Sequence, residues 1–70
     1  MTKEKFKEQF DYILDSEDYD FETKLSDIEE WDSLAKVSYI ALARMDGKVV
    51  SAEQINSASA VGELYEFLKD

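Results

Sequence analysis

The side chains able to do chemistry in this chain are few. It has no histidine and no cysteine. The commonest general base and the commonest metal ligand are therefore missing, as is a thiol nucleophile. A disulfide framework and a Cys-based zinc site are also excluded. Carboxylates, lysines, tyrosines and hydroxyls remain. Acidic residues number 17, but their spacing singles out no acid–base pair, and surface acids of this density normally form a solvated face. The residue inventory argues against an enzyme.

Two stretches still hold suggestive chemistry. From Asp18 the chain reads DYDFET, followed by Leu25 and Glu29. Asp18, Asp20, Glu22, Leu25 and Glu29 fall at the offsets of an EF-hand calcium loop. Thr23, however, stands where that loop needs glycine for its sharp turn, and no clean helix pair flanks the segment. An acidic loop with incidental cation binding is expected there, without a dedicated metal site. The other stretch is EEWDSLAK, residues 29–36. Asp32 or Ser33 can cap a helix that begins here, because either side chain can accept from a free backbone N–H. A serine in the first helical turn also presents its hydroxyl to solvent. A phosphodiester formed on it would lie near unpaired N–H groups and the positive end of the helix dipole. That geometry suits a phosphate-linked prosthetic group. The two roles are compatible, since Asp32 can cap while Ser33 carries the group.

The elements that must position Ser33 follow from periodicity. Phe6, Phe10, Ile13 and Leu14 recur at i, i+4, i+7 and i+8, which predicts an amphipathic helix from about Thr2 to Asp15. Residues 16–31 have no helical period. Their apolar members, Tyr19, Phe21, Leu25, Ile28 and Trp31, predict a long ordered loop pinned to the core, with a helical turn near Lys24–Ile28. A second helix starts at Asp32 or Ser33, with Leu34, Val37, Ile40, Ala41 and Met45 as its apolar face, and stops at Asp46-Gly47. Ser51 and Gln54 form a capping-box pair ahead of a short helix over 52–56. Ser59 can cap a last helix in which Val61, Leu64, Tyr65 and Leu68 repeat at helical spacing. The predicted fold is all-α: a small four-helix bundle of three main helices and a short third one, with a long first loop, in a single domain over residues 1–70.

The formal charge is −9. It disfavours nucleic acid and anionic membrane as partners and draws basic surfaces in. Disorder is argued against by 44% apolar residues and nine aromatics, the sum of one Trp, four Tyr and four Phe. A core this small leaves stability marginal, and self-repulsion lowers it further. Salt or divalent cations are expected to raise the melting temperature, and a melting temperature independent of ionic strength would refute the self-repulsion argument. No apolar run approaches the roughly 18 residues of a membrane span, and MTKEKFKEQF lacks the apolar region of a signal peptide. A monomeric cytoplasmic protein is the expectation.

Asp32-Ser33-Leu34 resembles the Asp-Ser-Leu motif of acyl carrier proteins, in which the serine carries 4′-phosphopantetheine. The context strengthens the likeness. The motif opens the predicted second helix after a long loop, in an acidic, cysteine-free chain of carrier-protein length. Downstream, GKVVSAEQINSASAVGELYEFL (47–68) is similar to the family's ending, with Gly47, Val49, Val50, Ile55, Val61, Gly62 and Leu64 in the matching places. Upstream, LSDIEEWDSL (25–34) supplies Leu25 and Ile28 as loop anchors.

The resemblance implies that Ser33 is the attachment site for an arm donated by coenzyme A. Asp32 and Leu34 then belong to the surface read by a phosphopantetheinyl transferase. Val37, Ile40, Ala41, Ile55, Ala60 and Val61 border a groove that can shelter an acyl chain, although core packing is the competing reading for each of them and the stronger one for Val37 and Ala41. Acyl- or aminoacyl-loading and acyl-transfer enzymes are the implied partners. Two departures bear on the pathway. Fatty-acid carriers usually have an acidic second helix, whereas here it carries Lys36 and Arg44 and the acids sit in residues 15–32. An aromatic often precedes the glycine ending that helix, whereas Asp46 precedes Gly47 here. A dedicated carrier for specialised biosynthesis, loading a short acyl or aminoacyl unit, fits at least as well as fatty acid biosynthesis. The rival readings are an acidic helical interaction module in which Ser33 is only a helix cap, and a calcium-responsive acidic protein.

Overall fold

The computed structural model describes residues 1–70, and every element in it is helical. Helix α1 spans Lys3–Leu14, α2 Ser33–Met45, α3 Ala52–Ser57 and α4 Val61–Glu66, with one 3-10 turn at Leu25–Asp27. The chain is a small four-helix bundle. Two helices are long and two short: α4 itself has six residues, although a tightened turn carries the helical path on to Leu68 and Lys69, whose N–H groups donate to the Tyr65 carbonyl.

Thr2 and Asp15, expected inside the first helix, are its caps. The Thr2 hydroxyl accepts from the Lys5 N–H at 3.2 Å. Asp15 turns left-handed at φ 53° and closes the C-terminal end, a conformation that Asp tolerates better than most residues. Phe6, Phe10 and Leu14 are buried along one stripe, and Phe6 and Phe10 stack at 5.2 Å between ring centroids.

The buried face of α2 differs from the sequence expectation. Ala35, Tyr39, Leu42 and Ala43 face the core, while Leu34, Val37, Ala41 and Met45 face solvent and Ile40 is half-buried. The helix is apolar almost all round, so periodicity offered two faces. The outcome follows from shape and hydrogen bonding. Ala35 and Ala43 let the backbone come close, and Tyr39 fills the centre with its hydroxyl donating to the Leu64 carbonyl at 2.7 Å. A buried tyrosine is stable only with such a partner. Burial pushes the Tyr39 phenol well above its ordinary value, which keeps it neutral and donating.

The long loop is pinned from three sides. Phe21 packs against Phe6 and Tyr65, each at 5.8 Å. The Tyr19 hydroxyl donates to Asp11 at 2.6 Å, and Lys7 lies over the Tyr19 ring at 4.2 Å while pairing with the same carboxylate. Backbone bonds then tie the loop to the α3–α4 connection. Leu25 N–H donates to the Ser59 carbonyl, Val61 N–H to Thr23 and Gly62 N–H to Phe21. Lys24 and Ala60 form an isolated antiparallel bridge.

Gly62 is required by this docking. A Cβ there would lie 3.0 Å from the Phe21 carbonyl oxygen, a backbone atom with little room to move. Gly62→Ala is expected to lower the melting temperature despite alanine's better helix propensity. A melting temperature unchanged or raised would show that the loop can retreat without cost.

Ser51 and Gln54 form the expected capping box of α3. The start of α4 is built differently from the expectation. Ala60, not Ser59, is at the N-cap and has no side-chain acceptor. Glu63 reaches back instead, and one carboxylate oxygen accepts from the Ser59 N–H, the Ser59 hydroxyl and the Ala60 N–H at 2.6, 2.6 and 2.8 Å. The Ser59 hydroxyl first, then the two backbone donors, hold the Glu63 carboxyl below its ordinary value. Gly47 takes φ +77° after α2, as the stop signal requires. At the far end of the bundle the Met1 ammonium donates to the Leu68 carbonyl and pairs with Asp70.

Candidate functional site

The loop–α2 junction is set by its aromatic anchor. Trp31 is half-buried between two core rings, tilted against Phe10 at 5.5 Å and edge-on to Tyr39 at 6.1 Å. The Trp31 N–H donates to the Ile28 carbonyl and the Asp32 N–H to the Glu30 carbonyl. With Trp31 fixed, Asp32 emerges in extended conformation, and its carboxylate accepts from the Ala35 N–H at 2.9 Å.

Asp32 is therefore the N-cap, and Ser33 is the first residue of the helix. This corrects the reading in which Ser33 serves as the cap. Two adjacent candidates for one position could not be separated by residue type. The structure separates them by backbone angle, since Asp32 is extended while Ser33 is already helical. The Ser33 side chain is exposed, and its hydroxyl has no hydrogen-bond partner in the chain. The N–H groups of Ser33 and Leu34 precede the first intrahelical bond and are free, as first-turn donors generally are. Leu34 is 74% exposed beside them. The three motif residues thus present a capping carboxylate, an unengaged hydroxyl and an apolar side chain at one solvent-facing corner.

The six residues expected to border an acyl groove are distributed unevenly. Ile55 and Val61 are buried in the core, Ile40 and Ala60 are half-buried, and Val37 and Ala41 are exposed. They do not line a common cavity: Ala41 lines a depression between α1 and α2, and Ala60 lines one beside Phe21 and Tyr65. Core packing, the competing reading for Val37 and Ala41, does not hold for either.

The acids at calcium-loop offsets do not converge, and no group of three or more acidic residues is close enough to share an ion. Asp20 is occupied locally, accepting from the Glu22 N–H and the Thr23 hydroxyl. Leu25, which is not at a ligand offset, is buried in the core and pins the loop there. No helix is long and apolar enough to cross a membrane.

Sequence reading missed the central place of Tyr39. Its signal was present: a large aromatic flanked at i−4 and i+4 by the alanines Ala35 and Ala43 marks close packing around a bulky centre.

No protein-family model, curated protein or solved structure matches this chain.

Proposed function

We propose that the protein is an acyl carrier protein, not an enzyme, with Ser33 as the attachment point for 4′-phosphopantetheine donated by coenzyme A. The observation that carries this reading is the state of Ser33: an exposed, hydrogen-bond-free hydroxyl in the first turn of α2, immediately after a capping Asp32. The residues present fit the group. Nothing in the chain covers or engages the hydroxyl, and the free first-turn N–H groups favour an anion there. The bound arm would supply the thiol that this chain lacks and hold an acyl or aminoacyl unit as a thioester. The protein's own part is presentation. Trp31 and Asp32 fix where the arm begins, and tethering raises the local concentration of the carried unit at each partner.

Pathway assignment rests on α2. Between Ser33 and Asp46 the helix carries Lys36 and Arg44 and no acid, and its solvent side shows Leu34 and Val37. Such a face suits partners that read apolar contact more than negative charge. This favours a dedicated carrier of specialised biosynthesis over a carrier for bulk fatty acid synthesis. A phosphopantetheinyl transferase and acyl- or aminoacyl-loading and transfer enzymes are the implied partners.

The test is direct. The purified chain is incubated with coenzyme A and a broad-specificity phosphopantetheinyl transferase, and its intact mass is measured. One added phosphopantetheine per chain is the expected result, and an unchanged mass rejects the carrier reading.

A further inference from the structure

The structure contains a second surface that attachment at Ser33 leaves unexplained. Helices α1 and α2 run antiparallel, and their outward faces leave an elongated depression along the seam. Ile13, Ala41 and Leu42 form its apolar floor. Tyr12 and Met45 line it from opposite helices and are 88% and 86% exposed. Both stand beside an apolar floor and so form one contiguous patch, and such patches mark interaction sites. Ser33 does not line the depression.

Charge selects the occupant. Past Tyr12, the edge of the seam is formed by Glu8, Asp15 and Glu17, none of which is ion-paired within the chain. Asp11, beside them, is already held by Lys7 and Tyr19. Lys5 stands at the other end, near Met45. A second copy of this chain is a poor occupant, because it brings another −9 to the same surface. From Ser38 to Met45 the seam is about 10 Å long at 1.5 Å per residue, a length that two turns of a helix cover.

We infer that the α1–α2 seam is a docking surface for an amphipathic helix of a partner protein, apolar on the face that enters the seam and basic along the edge that passes Tyr12. Apolar anchors displace water from the floor, and lysine or arginine meets the unpaired carboxylates. The occupied surface is separate from the Ser33 corner, so a partner can hold the protein here while the attachment residue stays accessible.

The probe is a synthetic helical peptide of about 14 residues, with leucines at i, i+3, i+4 and i+7 and lysines along one flanking row. It is titrated into the isotope-labelled chain, and amide shifts are followed. Shifts confined to residues 8–17 and 38–45 are expected, with Tyr12→Ser and Met45→Gln each weakening binding about tenfold. Both positions are exposed, so each variant should melt near the parent temperature. Glu8→Gln combined with Glu17→Gln should weaken binding at low salt and flatten its salt dependence. No shift at millimolar peptide, shifts centred elsewhere, or equal binding of a peptide with glutamates replacing its lysines overturns the proposal. So does a dimer in sedimentation equilibrium that Tyr12→Ser dissolves, which would assign the seam to self-association. Phosphopantetheine attachment to the Tyr12→Ser chain should be unchanged, so the outcome is read independently of the carrier reading.

Discussion

A chain carrying Ser33→Ala is expected to gain no mass from coenzyme A and a phosphopantetheinyl transferase, while folding as the parent does. Complete loss of attachment follows from the chemistry, because alanine offers no oxygen for the phosphodiester. The preserved fold follows from the structure. The Ser33 hydroxyl has no partner in the chain and is exposed, so its removal should stay within about 0.5 kcal/mol. That corresponds to at most a few degrees in melting temperature for a domain of this size, at roughly 4–8 °C per kcal/mol. Asp32→Ala provides the contrast. It removes the cap bond from the Ala35 N–H, 2.9 Å long, and should cost about 1 kcal/mol. A Ser33→Ala chain that still gains mass removes Ser33 from the reading. One that gains none but melts as far below the parent as Asp32→Ala assigns Ser33 a structural role.

Phe10→Ala should bring the chain close to unfolding at room temperature. Phe10 is fully buried and touches three other rings: Phe6 stacked, Tyr19 edge-on and Trp31 tilted. Its removal takes away the centre of an aromatic cluster that joins α1 to both ends of the long loop. Truncating a buried phenylalanine costs roughly 3–5 kcal/mol. At roughly 0.05–0.15 kcal/mol per residue, a chain of 70 residues has a total stability of the same order. Urea denaturation followed by circular dichroism is expected to show the midpoint falling to near zero denaturant. A midpoint still above half the parent value would mean that the loop can repack over the gap.

The four helices were legible because each carries its own local signals. Periodicity gives α1, the Ser51–Gln54 box gives α3, and Gly47 ends α2. The corner at Ser33 was legible too, as a loop-to-helix junction. Less visible was everything decided by contacts distant in sequence. Tyr39 is turned inward by its bond to Leu64, 25 residues on, and this rotated the buried face of α2 away from Leu34, Val37 and Met45. The α4 start passed from Ser59 to a reaching Glu63 where the loop bonds to the chain at the helix entrance, Leu25 N–H to the Ser59 carbonyl and Val61 N–H to the Thr23 carbonyl. A short apolar helix does not say which of its faces a distant partner will cover.

The packing of Trp31 has an optical consequence. It is the only tryptophan in the chain, it sits between Phe10 and Tyr39, and it lies two residues before Ser33. Its emission in the folded chain should be blue-shifted from that of the unfolded one. Excited tyrosines in the same cluster should pass energy to it only while the bundle is closed. The molecule therefore carries its own fluorophore at the corner where attachment is proposed, and the arrival of a charged group on the neighbouring helix turn can be watched in unlabelled protein.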